Sequence, residues 1–168
     1  DQTIEIYHHC KTIYNNVGMV IQSYLHRSID DILFLANDQF NSRICKGIYK
    51  ESEYIAYQNR EEIQDNFLKL AKTMATRNAY SAFATHDQEL IDRLLDWITT
   101  DKVPKDLFEF QVLYGVPMNG RLEALLGAGY KVRVYVPYGP DWFDYSVRRL
   151  KENPKIISYV LKNFFRKR

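Results

Sequence analysis

The chain has 168 residues, 46% of them hydrophobic, enough for one globular domain with its own core. Its 23 basic and 21 acidic side chains are interspersed and leave a formal net charge of +2, so no basic block marks a nucleic-acid partner. No apolar run approaches the ~20 residues that span a bilayer, and Cys10 and Cys45 have neither metal-ligand nor secreted-disulfide spacing, so free thiols in a reducing, cytoplasmic setting are expected. Residues 2–14 have a helical pattern, and MVIQSYL (19–25) reads as a strand. SIDDILFLAND (28–38) follows as a helix with Ser28 as its expected N-cap. RICKGIY (43–49) is a second strand, and EEIQDNFLKLAKTMATR places Ile63, Phe67, Leu70 and Met74 on one helical face. YSAFATH (80–86) precedes QELIDRLLDWI, whose core face is Leu90, Leu94 and Trp97. FEFQVLYG (108–115) leads to a short helix ended by Gly127 and Gly129, and VRVYVPYG (132–139) is the fifth strand.

Strands beginning at 19, 43, 80, 108 and 132, separated by helices, have the period of βα units, so an α/β fold with a parallel sheet is expected. Polar and aromatic residues gather at the C-terminal ends of these strands: Gln22, Lys46, Thr85, His86 and Tyr135 among them. That is where (β/α)8 barrels carry their active sites. Five strands cannot close such a barrel, so about three further units are expected upstream. The opening DQTIEIYHHC, with no initiator methionine, fits a sequence that begins partway through a larger protein. An open doubly wound sheet is the alternative, but its G-x-G-x-x-G phosphate fingerprint is missing from the sequence.

Three stretches could carry chemistry. After the fifth strand, Tyr145, Arg148, Arg149 and Glu152 fall at i, i+3, i+4 and i+7, the spacing of a helical stripe. A solvated face with Arg–Glu pairs is the plain reading. The functional one is a carboxylate clamp, because two adjacent guanidinium forks bind a carboxylate bidentately. In RICKGIY, Arg43 and Lys46 flank Cys45, and cations in a strand need an anionic partner unless the strand is an exposed edge. Gly47 in the same run would let a ligand or backbone approach closely. In FATHD, Thr85-His86-Asp87 lies at a strand-to-helix junction, where free backbone N–H groups favour phosphate. No second His is spaced to make a metal site with His86, and no nucleophile elbow is present.

Together, in this order and spacing, RICKGIY, FATHD, FEFQVLYG and VRVYVPYGPDWFDYSVRRLKEN closely resemble the flavin-dependent proline dehydrogenases over essentially the whole chain. The resemblance implies an enzyme with a distorted (β/α)8 barrel, of which residues 1–168 would be the C-terminal portion of a single domain, supplying strands four to eight and the last helix. It implies FAD as cofactor, L-proline as substrate, Δ1-pyrroline-5-carboxylate as product and a quinone as electron acceptor. Gln22 would hydrogen-bond the flavin's pyrimidine edge, and Arg43 would be the catalytic arginine beside flavin N5. Lys46, Gly47 and Ile48 would contact the cofactor, and Thr85 and His86 its phosphate and adenosine side. Arg148 and Arg149 would bind the proline carboxylate beside Glu152, with Tyr135, Tyr145 and Leu113 lining the substrate pocket.

Two departures stand out. The family's upstream lysine and aspartate lie outside these residues, and Cys45 and Ile48 replace the usual Val and Ala. A non-catalytic carboxylate- or amino-acid-binding domain on a partial barrel is the competing reading; it would have no need of Gln22, Arg43, Thr85 and His86. The terminal KIISYVLKNFFRKR reads as a packed last helix whose basic end complements its dipole. A peripheral contact with the inner face of a membrane, near quinone, is its second reading.

Overall fold

The computed structural model describes residues 2–141, which divide into two compact units, one ending at Phe110 and the other starting at Gln111. Tyr145, Arg148, Arg149, Glu152 and the basic C-terminal segment lie outside the described residues. In the first unit the chain runs α1 (Gln2–Ile13), β1 (Met19–Gln22), α2 (Ser28–Leu35), β2 (Asn41–Cys45), α3 (Arg60–Thr76), β3 (Tyr80–Ala84) and α4 (Gln88–Thr100), reaching β4 (Phe108–Leu113) through a short 3-10 turn. β4 continues into the second unit, which adds α5 (Arg121–Gly127) and β5 (Val132–Tyr135). Each expected strand is present but stops earlier, so Lys46, Gly47, Ile48, Thr85 and His86 sit in loops just beyond the strand ends.

β1, β2 and β3 are parallel and in sequential order, with Ile21 level with Ile44 and Ile44 level with Phe83. Because successive strand residues point to opposite faces, these three share one face and Val20, Arg43 and Ala82 share the other. The first face is the core. Ile44 and Phe83 are buried there, α3 packs against β2 and β3, and the Phe67 and Phe83 rings meet at 6.3 Å. Phe83 also stacks on Phe108 at 5.5 Å, extending the aromatic core to the start of β4. In the second unit Tyr114 N–H donates to the Tyr135 carbonyl at 2.8 Å, and Met118 and Leu125 are buried.

Three local readings are corrected. Ser28 is the first helical residue and Arg27 occupies the cap; the Ser28 hydroxyl instead donates to the Gln22 carbonyl at 2.6 Å, tying the end of β1 to the start of α2. Ile63 is only half-buried on α3, whereas Gln64 and Asn66 are buried. Their positions serve hydrogen bonding: Asn66 Nδ2 donates to the Ser23 carbonyl at 2.7 Å, and Gln64 reaches the turn after β3. Gly127 is the last residue of α5 rather than its stop; Gly129, at φ +76°, supplies the left-handed turn after it.

Candidate active site

The face of the sheet opposite α3 carries Gln22, Cys45 and Ala84 level with one another at the strand ends, and Val20, Arg43 and Ala82 one rung back. Arg43 is exposed, and among the described residues its guanidinium has no ion pair or side-chain hydrogen bond. Its neighbours on this face have small side chains: Ala82 lies beside it in the register, and Cys45 and Ala84 one rung on, next to Gln22. Burial pushes the Cys45 thiol up, against the opposing pull of the Arg43 charge, so the thiol is neutral at physiological pH. Gln22 also borders a recess of about 90 Å³ at the β1 edge, with Ile4, Leu25 and Arg27.

The loop that leaves β2 follows the end of β1. Ser23 N–H donates to the Cys45 carbonyl at 2.7 Å, and Tyr24 N–H to the Lys46 carbonyl at 3.0 Å. Gly47 has φ +97°, and a Cβ there would lie 2.2 Å from the Tyr24 ring. The close neighbour that demands glycine is therefore a side chain of this protein. Farther along, Tyr57 N–H donates to the Tyr24 carbonyl and His26 N–H to the Ile55 carbonyl, which presses the loop against β1's end. Ile48 is half-exposed at the loop's start.

The turn after β3 is built around Asp87. Lys46 Nζ donates to its Oδ2 at 2.8 Å, Gln64 Nε2 to the same oxygen at 2.9 Å, and Arg60 Nη2 to Oδ1 at 2.9 Å. Burial would raise this carboxyl, but the hydrogen bonds from Lys46, Arg60 and Gln64 outweigh it and hold it well below the usual carboxylate range. Arg60 also pairs with Glu89 at 2.9 Å. Thr85 is buried, and its hydroxyl accepts Asp87 N–H at 3.1 Å, leaving its own hydrogen to donate. His86 is half-buried beside it, and its carbonyl accepts from Gln88 Nε2 at 3.3 Å. The two cations of RICKGIY thus differ: Lys46 is matched by an internal anion, whereas Arg43 faces outward.

Among the predicted site residues of the first unit, Gln22 and Arg43 share the open face, and Lys46, Gly47, Ile48, Thr85 and His86 form the rim at the strand ends. Leu113 and Tyr135 belong to the second unit, where Leu113 is half-buried and Tyr135 is 48% exposed. Arg60 and Gln64 were missed, because a polar residue four positions into an amphipathic helix reads as solvent-facing. The visible clue was a Gln and an Asn interrupting the apolar face at 64 and 66.

The family model for proline dehydrogenase matches residues 2–161. The chain belongs to the proline dehydrogenase family. Proline dehydrogenase 1 of Bacillus subtilis (strain 168) is 39% identical over 167 residues, covering 99% of this chain and 55% of that protein. Proline dehydrogenase of Deinococcus radiodurans is 36% identical over 151 residues, covering 90% of this chain and 48% of that protein. The chain therefore spans about half the length of these relatives. In fold, this proline dehydrogenase family member is similar to proline utilization A from Bdellovibrio bacteriovorus inactivated by N-propargylglycine, with TM-score 0.76 and 28% identity, covering 90% of this chain and 18% of that one. A second structure, proline utilization A with proline bound in remote sites, gives TM-score 0.67 at 22% identity over 83% of this chain and 16% of that one, a likeness of fold.

Proposed function

We propose that residues 1–168 are the C-terminal portion of a single FAD-dependent proline dehydrogenase barrel, contributing strands four to eight and the last helix, and that further strands upstream complete it. The reaction is oxidation of L-proline to Δ1-pyrroline-5-carboxylate, with a quinone as the final electron acceptor. Family membership over residues 2–161 supports the activity. At residue level one juxtaposition carries the reading: Gln22 and Arg43, the latter without a partner among the described residues, lie beside Cys45, Ala82 and Ala84 on the face of the sheet opposite α3.

That face fits a flat aromatic cofactor. Small side chains permit close approach, the Gln22 amide offers both a donor and an acceptor to a pyrimidine edge, and Arg43 offers an exposed positive charge. Thr85 and His86, at the start of α4, would hold the phosphate and adenosine side, with Lys46, Gly47 and Ile48 alongside. FAD supplies the two-electron acceptor when bound. The chain's own residues position the substrate. Arg148 and Arg149, beside Glu152, would grip the carboxylate, while Tyr135, Tyr145 and Leu113 would confine the ring. So held, proline would present the ring carbon next to its nitrogen to the bound two-electron acceptor, which would take up the hydride as the nitrogen lone pair forms the C=N bond. Arg43 would stabilise the negative charge that develops beside it.

The test uses the protein purified from its host. A flavin absorption spectrum that bleaches on anaerobic addition of L-proline is expected. A protein without flavin, or with flavin that proline leaves oxidised, overturns the reading; proline binding without flavin would identify the carboxylate-binding domain instead.

A further inference from the structure

We infer that Asp87 is a positioning residue for cofactor binding: by clamping Lys46, Arg60 and Gln64 it sets the place of the Thr85–His86 turn without itself touching the ligand. The inference rests on the proposed FAD-dependent function. Its basis is a diverted cap. Asp87 occupies the N-cap of α4, where an aspartate ordinarily accepts from the helix's own first N–H groups. Here its side chain makes no capping bond, and both oxygens turn to other elements.

Two things follow from that diversion. The first turn of α4 takes no capping bond from Asp87, at a helix N-terminus of the kind that favours phosphate. An unpaired carboxylate at that position would repel phosphate, but Lys46 and Arg60 neutralise this one, and Glu89 balances Arg60 on the outer side. The clamp also joins three segments far apart in sequence: the end of β2 through Lys46, the first turns of α3 through Arg60 and Gln64, and the β3–α4 turn. Thr85 is coupled directly, since its hydroxyl accepts the Asp87 N–H. Both stretches proposed to hold the cofactor, 46–48 and 85–86, are thereby locked into one block. The Asp87 side chain is only 8% exposed, so the ion pairs act in a partly desolvated setting where their geometry is firm.

The experiment measures FAD affinity separately from folding, on the full protein, for Asp87→Asn, Asp87→Glu and Gln64→Leu. Gln64 is buried on α3 and cannot reach a ligand, so Gln64→Leu loosens the clamp while keeping volume. The FAD dissociation constant, read by fluorescence well below each variant's Tm, is expected to rise about tenfold or more for Asp87→Asn, as when an outer partner orienting a ligand contact is removed. A smaller rise is expected for Gln64→Leu and partial rescue for Asp87→Glu, with kcat at saturating FAD close to wild type in all three. If Asp87→Asn does not fold, Gln64→Leu decides. Unchanged FAD affinity in the folded variants, whatever their Tm, overturns the inference and leaves Asp87 a structural clamp. A wild-type protein that holds no flavin sinks the underlying reading, and this inference with it.

Discussion

Arg43 and Lys46 lie three residues apart, yet they belong to two regions built on opposite rules. At the rim, Lys46 is matched by Asp87, and Asp87 by Arg60 and Gln64, so the charges are satisfied inside the chain. On the sheet face, Arg43 stands exposed over small neighbours with no internal partner among the described residues. A polar group that the fold satisfies stabilises the fold; one left unsatisfied at a prepared surface is available to a ligand. Perturbing the rim is therefore expected to show in stability and cofactor affinity, and perturbing the face in turnover.

Arg43→Ala is expected to give the largest separation of the two. Steady-state kinetics with measured flavin content should show kcat lower by about 10²–10³-fold, the scale for losing one group that stabilises developing charge. Thermal or urea unfolding should show stability within ~0.5 kcal/mol of wild type, since Arg43 makes no ion pair or side-chain hydrogen bond among the described residues. A large loss of stability with normal turnover would reverse the assignment of the face.

Gly47→Ala should behave in the opposite way. The added methyl meets the Tyr24 ring at 2.2 Å on a backbone with φ +97°, so a loss of about 1–3 kcal/mol is expected in urea unfolding. Combining it with Tyr24→Ala removes the clash but keeps the φ cost, so the pair should be less than additive. Strict additivity would show that Tyr24 is not the neighbour that demands glycine.

Acid titration compared between wild type and Asp87→Asn probes the rim. Asp87 has its carboxyl held below the ordinary value of 3.8, so its contribution to stability is fully present above that value and declines as pH falls below it toward the lower folded-state value. Unfolding measured from pH 5 down to pH 2.5 should lose stability less steeply in Asp87→Asn than in wild type below about pH 3.8. Parallel curves would mean that the carboxylate is not held by its partners.

The smallest effect is expected from Ser28→Ala, which removes the hydroxyl bond to the Gln22 carbonyl. A loss near 1 kcal/mol, seen as a lower Tm, is the scale for one such bond. An N-cap role for Ser28 predicts a similar loss of stability but no displacement of Gln22. A change in the amide signals of residues 22–24 therefore distinguishes the two.

The element order was legible in the sequence because it depends on local composition and periodicity: short runs rich in β-branched, aromatic and other apolar residues at 19–25, 43–49 and 80–86 mark strands, and stripes such as Leu90, Leu94 and Trp97 mark helices, whatever surrounds them. The candidate residues were legible in part for a similar reason, since cations in RICKGIY and a Thr-His-Asp at a strand end violate the apolar filling that such positions otherwise receive. What local pattern could not decide was which polar residue answers which. Lys46 and Asp87 are 41 positions apart, and Gln64 and Asp87 are 23 apart; only the parallel register and the packing of α3 across β2 and β3 bring them within hydrogen-bonding distance. Contacts between elements likewise made Ser28 a partner of Gln22 rather than a cap, and made Tyr24 the reason for Gly47. Burial sets the demand for hydrogen-bond partners, but tertiary contacts choose them, so the division of the two cations between structure and ligand became visible only in the folded chain.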